Sequence, residues 1–261
     1  MDKYPSSKDY IRRFIGSREL LNSIERYCLW LKEKKGYNSI NPIKNRVERV
    51  RVWRANSSRN STNKLASVPH MFAEIRHKEN DYLAFPTISS ERRVYLPIDL
   101  LKANTIASNQ LYQVTDCNAY HFSVFSSLIH NIWMKMIGGK LKTDYRYSSS
   151  IIYNNFPFPP ISKTQKEELT THTFRILEER EKHPEKTLAQ LYDPDKMPDG
   201  LREAHRLNDL AVERCYRSKP FESDEERLEY LFKLYEKMIQ EEKERDTLFQ
   251  KDQKSRKKKK K

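Results

Sequence analysis

The chain has 261 residues, 37% hydrophobic and 33% charged, which allows one large domain or two ordinary ones under a heavily charged surface. Its 15 Tyr, 11 Phe and 3 Trp argue against a disordered chain, and no apolar run of about 18 residues is present to span a membrane. The formal charge of +14 is uneven: residues 1–160 carry 25 Lys+Arg against 13 Asp+Glu, residues 161–250 carry 17 against 22, and residues 251–261 carry 8 against 1.

The excess in the first segment lies among aromatic and β-branched residues that are expected to fold, so a polyanionic partner is its natural explanation. The lysine tail reads either as a solvated charge run or as part of the same electrostatic surface. Met1-Asp2-Lys3-Tyr4-Pro5 lacks the apolar core of a secretory signal, and Cys28, Cys117 and Cys215 are odd in number and far apart. A reduced cytoplasm with cysteines as packing residues is expected.

In chain order, residues 10–35 read as helical, with Leu20, Leu21, Ile24, Cys28 and Leu31 near one face and Gly36 as a stop. Asn41-Pro42 opens a second helix that runs from Ile43 to about Ser57, with Val47, Val50 and Arg54 at helical spacing. Its other faces carry Lys44, Arg46, Arg49 and Arg51, which suits phosphate contact or, equally, a basic solvated face. Residues 56–63 form a polar loop by composition. Tyr82–Pro86 and Arg93–Pro97 read as strands, separated by Ser89-Ser90-Glu91-Arg92-Arg93.

Tyr120 to about Met136 reads as one buried aromatic helix ended by Gly138-Gly139, and Lys140–Tyr153 alternates like a strand. After Pro157-Phe158-Pro159-Pro160 the pattern becomes helical, with a capping box at Ser162/Gln165, a turn at Pro198-Asp199-Gly200 and a second capping box at Ser223/Glu226.

Several chemistries find no residues. The five glycines (16, 36, 138, 139 and 200) assemble no nucleotide or S-adenosylmethionine loop, and no Walker lysine, His-Glu-x-x-His or Cys-x-x-Cys motif occurs. The seven histidines make no ligand cluster, so no metal is expected. Asn155-Phe156-Pro157-Phe158-Pro159 approaches the Asn-Pro-Pro-aromatic pattern of amino-methyltransferases. Phe156 interrupts it, and the segment reads as a rigid exit from the preceding domain.

Lys140–Tyr147 is the most informative stretch. If it is extended, Lys142, Asp144 and Arg146 project to one side while Thr143, Tyr145 and Tyr147 face the other. In a major groove, Lys or Arg donates to guanine O6 and N7 and Asp accepts from cytosine N4, so a Lys-x-Asp pair is chemically suited to one G·C pair. An ordinary edge strand with a cross-charge pair has the same spacing.

Five segments in order resemble the C-terminal third of the MmeI-like family (type IIL, within type IIG). They are Phe14-Ile15-Gly16-Ser17-Arg18-Glu19, residues 25–31, residues 89–93, residues 138–148 and residues 153–159. The helical stretch Leu188–Leu234 is covered too, and the lysine tail is not. The family joins an endonuclease, an adenine-N6 methyltransferase and one target-recognition domain in a single chain.

The resemblance implies an α+β fold: a β-containing recognition domain followed by a small helical C-terminal domain. It further implies that Lys142 and Asp144 select one base pair, with guanine on the read strand, and that Arg146 reads a neighbouring position. Phosphate contacts are expected from Arg46, Arg49, Arg51, Arg92 and Arg93.

The expected division is a helical linker over 1–42, a recognition domain over 43–160, a helical domain over 161–250 and a disordered basic tail over 251–261. Double-stranded DNA is the expected partner. The methyltransferase and nuclease portions are not in this sequence, so it reads as a fragment, a truncated product or a separate specificity subunit. S-adenosylmethionine and catalysis would then belong to a methyltransferase acting in trans.

Overall fold

A computed structural model describes residues 4–32 and 36–258, with side chains through Arg245. Residues 33–35 of the expected first helix and 259–261 of the expected tail lie outside the described residues. In chain order the first elements are β1 (Ile11–Ile15), α1 (Ser17–Asn22), β2 (Tyr27–Leu29), α2 (Asn41–Ala55), α3 (Asn60–Lys64), β3 (Tyr82–Pro86) and β4 (Ile88–Ser89). Then come β5 (Asp99–Leu101), β6 (Thr105–Ala107), β7 (Leu111–Thr115), α4 (Ala119–Ser126), α5 (Leu128–Ile137), β8 (Gly139–Leu141) and β9 (Asp144–Arg146). Four helices follow: α6 (Lys163–Glu181), α7 (Leu188–Leu191), α8 (Asp199–Tyr216) and α9 (Asp224–Lys258). The fold is mixed α+β, with three small sheets and a helical C-terminal region.

Internal contacts divide the chain into two units, Met1–Ala84 with Leu100–Asp116, and Phe85–Asp99 with Cys117–Lys261. In the first, β1 pairs antiparallel with β2 and parallel with β6, so the sheet order is β2-β1-β6. The helix read over 10–35 is therefore two strands flanking a short helix, and the stretch 1–42 is no helical linker.

The physical cause is local. Gly16 is extended and ends β1, and its N–H donates to the Glu19 carboxylate at 2.8 Å. Arg26 holds the other oxygen of that carboxylate at 3.0 Å while its guanidinium lies 4.6 Å from the Phe14 ring. Ser23 at φ 55° then stops α1, and Tyr27–Leu29 can gain backbone partners on β1 that a longer helix would forfeit. A Cβ on Gly16 would stand 2.7–2.8 Å from Gln110, Glu19 and Ser108 side-chain oxygens, so a larger residue here would displace the Glu19 carboxylate that caps the helix.

Pro42 in the first turn of α2 fits the start inferred from Asn41-Pro42, because its missing N–H costs nothing there. Arg54 donates to the carbonyls of Leu65, Val68 and Met71 at 3.2, 3.0 and 2.8 Å, tying the return segment to the helix. The polar loop over 56–63 contains the start of α3. A second sheet has the order β5-β3-β7, and all five residues of β3 are buried.

In the second unit the expected strand Arg93–Pro97 is irregular backbone. Its polar groups are met elsewhere: the Leu96 N–H donates to Asn131 Oδ1 at 2.7 Å, and the Tyr95 hydroxyl donates to Asp209 at 2.7 Å. The aromatic helix is two helices broken at Ser127, which is extended (φ −71°, ψ 156°). The break places the Leu128 N–H on Asp209 Oδ1 at 2.7 Å, a cap supplied from α8.

Phe122, Val124, Ile129 and Trp133 of these helices are fully buried, as are Leu169 and Ile176 of α6 and Leu201, Ala204 and Val212 of α8. Ser162/Gln165 forms the reciprocal cap expected at the start of α6. The backbone of α9 continues helically to Lys258, through most of the segment expected to be a disordered tail.

Candidate nucleic-acid interface

The Lys140–Tyr153 stretch is a hairpin rather than one strand. β8 and β9 pair antiparallel, with Gly139 opposite Arg146, Lys140 opposite Tyr145 and Leu141 opposite Asp144. Lys142 and Thr143 form the two-residue connection, with Lys142 at φ 58°, in the left-handed region that favours glycine. Lys142 is therefore at the exposed tip and not in register with Asp144, and the expected single row of three residues is corrected to a pair plus a tip. No Gly or Asn marks this turn, so periodicity alone carried the alternation through it.

Asp144 and Arg146 do share a side of β9. Directly opposed residues also share a side, which adds Leu141 and Gly139 to that face and puts Lys140 and Tyr145 on the other. Lys140 Nζ lies 5.1 Å from the centre of the Tyr145 ring and Lys135 Nζ 6.0 Å from it. On the Asp144/Arg146 side, a Cβ built on Gly139 would meet nothing within 4 Å, so the surface beside Arg146 is open. Arg146 is exposed and Asp144 half-buried.

The hairpin is fixed from behind. Tyr147 is 2% exposed, packs edge-on against Phe85 at 4.7 Å, and its hydroxyl meets His130 Nε2 at 3.2 Å. Burial holds His130 down at about 4, so it is a neutral core group. On its other edge β9 pairs with β4, through Ile88 opposite Arg146 and Ser89 opposite Tyr145. This brings the Glu91-Arg92-Arg93 turn next to β9. There Arg92 makes an ion pair with Asp195, Lys140 lies 4.0 Å from Glu91, and Arg93 is largely buried.

The other unit holds the remaining arginines singled out from sequence. Arg46 and Arg49 are exposed on α2, and neither has an ion-pair or hydrogen-bond partner among the described residues. Arg51 is different: it grips Glu48 through Nε at 3.0 and 2.8 Å and Nη2 at 2.5 Å, and its charge is locally neutralised. Sequence reasoning passed over Trp53, which is 68% exposed on the same helix and shares a shallow surface with Arg49 and Val52. An indole left in water one turn from a free arginine is the signal that was available.

Other chemistry is sparse among the described residues. No group of three or more His, Cys, Asp or Glu side chains is placed to hold a metal. No helix is long and apolar enough to cross a membrane. Burial pushes the Cys28 and Cys215 thiols up to about 11, which suits packing residues rather than nucleophiles. The Asn155 side-chain amide donates to the carbonyls of Ile151 and Ser150 at 2.9 and 3.3 Å. It is committed locally, which accords with a structural exit segment.

The unit Phe85–Asp99 with Cys117–Lys261 thus carries both the short exposed hairpin and the helical C-terminal region. The family model "MmeI, target recognition domain" matches residues 1–160, and "MmeI, C-terminal domain" matches residues 161–241. The chain belongs to the MmeI family.

It is similar to DNA methyltransferase A of Bacillus subtilis (strain 168), 44% identical over 243 residues, which is 92% of this chain and 27% of that protein. Among solved structures it matches the type IIL restriction-modification enzyme MmeI in complex with DNA, with a TM-score of 0.84 and 37% identity. That match covers 90% of this chain and 32% of the other. The chain thus spans about 30% of the length of these relatives and corresponds to their recognition and C-terminal portions.

Proposed function

We propose that this chain reads the DNA sequence for an adenine-specific (N6) methyltransferase of the restriction-modification type, and that it does so through the β8–β9 hairpin. The observation that carries the reading is the hairpin itself. It is short and exposed, anchored by buried Tyr147, and has Asp144 and Arg146 on an open face with Lys142 at the tip.

Such a ribbon fits a major groove, where Lys142 donates to guanine, Asp144 accepts from the paired cytosine and Arg146 reads a neighbouring position. Arg46 and Arg49 contribute phosphate contacts, Arg92 joins them when released from Asp195, and Arg51 contributes less because Glu48 holds it. In this reading residues 43–160 supply recognition and residues 161–250 support it.

The chain's own residues do not fit an S-adenosylmethionine site. Its five glycines are spread over a helix start, a turn, a helix end, the hairpin and α8. Methyl transfer then falls to a methyltransferase portion outside these 261 residues, in the cytoplasm. The test is selection of duplexes from a randomised pool at near-physiological salt, by the chain alone and with a family methyltransferase portion supplied. A short consensus containing a G·C pair is the expected result. Salt-sensitive capture with no consensus under either condition would leave a non-specific basic protein.

A further inference from the structure

Arg93 differs from the other arginines near the hairpin. Its Nε lies out of solvent and has no hydrogen-bond acceptor, and its guanidinium sits in the field of two carboxylates, Asp144 and Asp193. A buried, unpaired donor is costly, so it demands a partner. A phosphate arriving from solvent does not reach a covered Nε.

The backbone places the acceptor. With Ile88 opposite Arg146 and Ser89 opposite Tyr145, β4 ends with Ser90 leaving the sheet at the β9 end that begins with Asp144. The Arg93 N–H donates to the Ser90 carbonyl at 3.1 Å, which turns the chain back and returns Arg93 toward the start of β9. Asp193 and Asp195 follow α7, so one acidic turn faces both arginines, with Asp195 taking Arg92.

We propose that Arg93 is a positioning residue for base recognition: its Nε–H engages the Asp144 carboxylate when the hairpin is loaded on DNA, and Asp193 steadies the guanidinium from the opposite side. One oxygen of Asp144 is then fixed and the other is aimed at the cytosine amine. An Asp held by a rigid fork discriminates better than one free to rotate, because a misaligned rotamer tolerates other bases. The inference rests on the reading of Asp144 as a base-contacting residue. It also gives the helical C-terminal region, through Asp193, a part in specificity that its distance in sequence from the hairpin conceals.

The test compares the full-length chain with D144N, R93Q, R93K and D193N on four duplexes that differ at the single base pair Asp144 reads, with any required methyltransferase portion supplied. Wild type is expected to prefer one duplex. D144N and R93Q are each expected to lower that preference about tenfold, with affinity for the other three duplexes unchanged and R93K recovering part of the loss. If R93Q instead weakens all four equally and lowers the salt slope by about 0.9, Arg93 is a phosphate contact and the inference is overturned. A drop with D144N but none with R93Q overturns the inference and leaves base reading intact. No drop with D144N overturns both.

A second measurement reads the contact directly. The Nε–Hε resonance of Arg93 is expected to move when the preferred duplex is added to the wild type and not when it is added to D144N, and a resonance that responds equally in both would contradict the proposal.

Discussion

Asp209 is 7% exposed on α8, accepting from the Tyr95 hydroxyl and the Leu128 N–H, both at 2.7 Å. Burial pushes its carboxyl up to about 7, against the lowering effect of those two hydrogen bonds. Tyr95 stacks on His205 at 4.2 Å, His205 meets the Tyr192 hydroxyl at 2.8 Å, and Arg180 bonds that hydroxyl and the Ile98 carbonyl. The run of residues that carries Arg92 and Arg93 is thus nailed to the helical region by one buried polar network. Because the folded Asp209 keeps its proton above the ordinary carboxylate range, its contribution to stability is full below about pH 4 and is lost as pH rises to about 7. Relative to Asp209→Asn, the wild type is expected to lose up to about 1.4 kcal/mol per pH unit within that window and nothing further above it, as read by urea unfolding.

The α2 arginines give a second test at this scale. Arg46→Gln and Arg49→Gln are each expected to reduce the slope of log affinity against log salt by about 0.9, and Arg51→Gln by much less because in the wild type its guanidinium is already paired with Glu48. Equal effects from all three would mean that the Glu48 pair opens on binding.

At the level of elements, the hairpin is the least conventional piece. Lys142 sits at φ 58° without the glycine or asparagine such a turn favours. Lys142→Gly is expected to raise stability by about 0.5–1 kcal/mol and Lys142→Val to lower it by about 1–2 kcal/mol. If both are neutral, the turn does not hold this conformation in solution.

This turn also shows what the sequence could reveal. α2 was legible because Asn41-Pro42 starts a helix through local chemistry alone. The α4–α5 break was not, because the cap that permits it is Asp209, about 80 residues away. β1 and β2 read as helical because their apolar residues fall near helical spacing, and the decisive pairing with β6 lies about 90 residues on. In the candidate site, residue types were legible and pairings were not: Arg92 and Arg93 face Asp195 and Asp193, about 100 residues downstream.

For the whole molecule, the positive charge concentrated in residues 1–160 coincides with the segment matched by the target-recognition family model. The more acidic residues 161–250 supply the loop that neutralises Arg92. Trp53 offers a physical readout of engagement, because it is 68% exposed while Trp30 and Trp133 are 5% and 0% exposed. Quenching or a blue shift of its emission is expected when DNA covers α2, and Trp53→Phe should abolish that change. An unaltered signal on saturation with duplex would place the contact surface elsewhere.

The central claim is that the β8–β9 hairpin chooses a base pair, and exchanging its charges tests this most directly. The double variant Lys142→Glu/Asp144→Arg is to be compared with wild type by selection from the same randomised duplex pool. The account predicts that the consensus changes from G·C to C·G at one position and is otherwise unchanged. Loss of affinity spread evenly over all sequences, or an identical consensus, would contradict it.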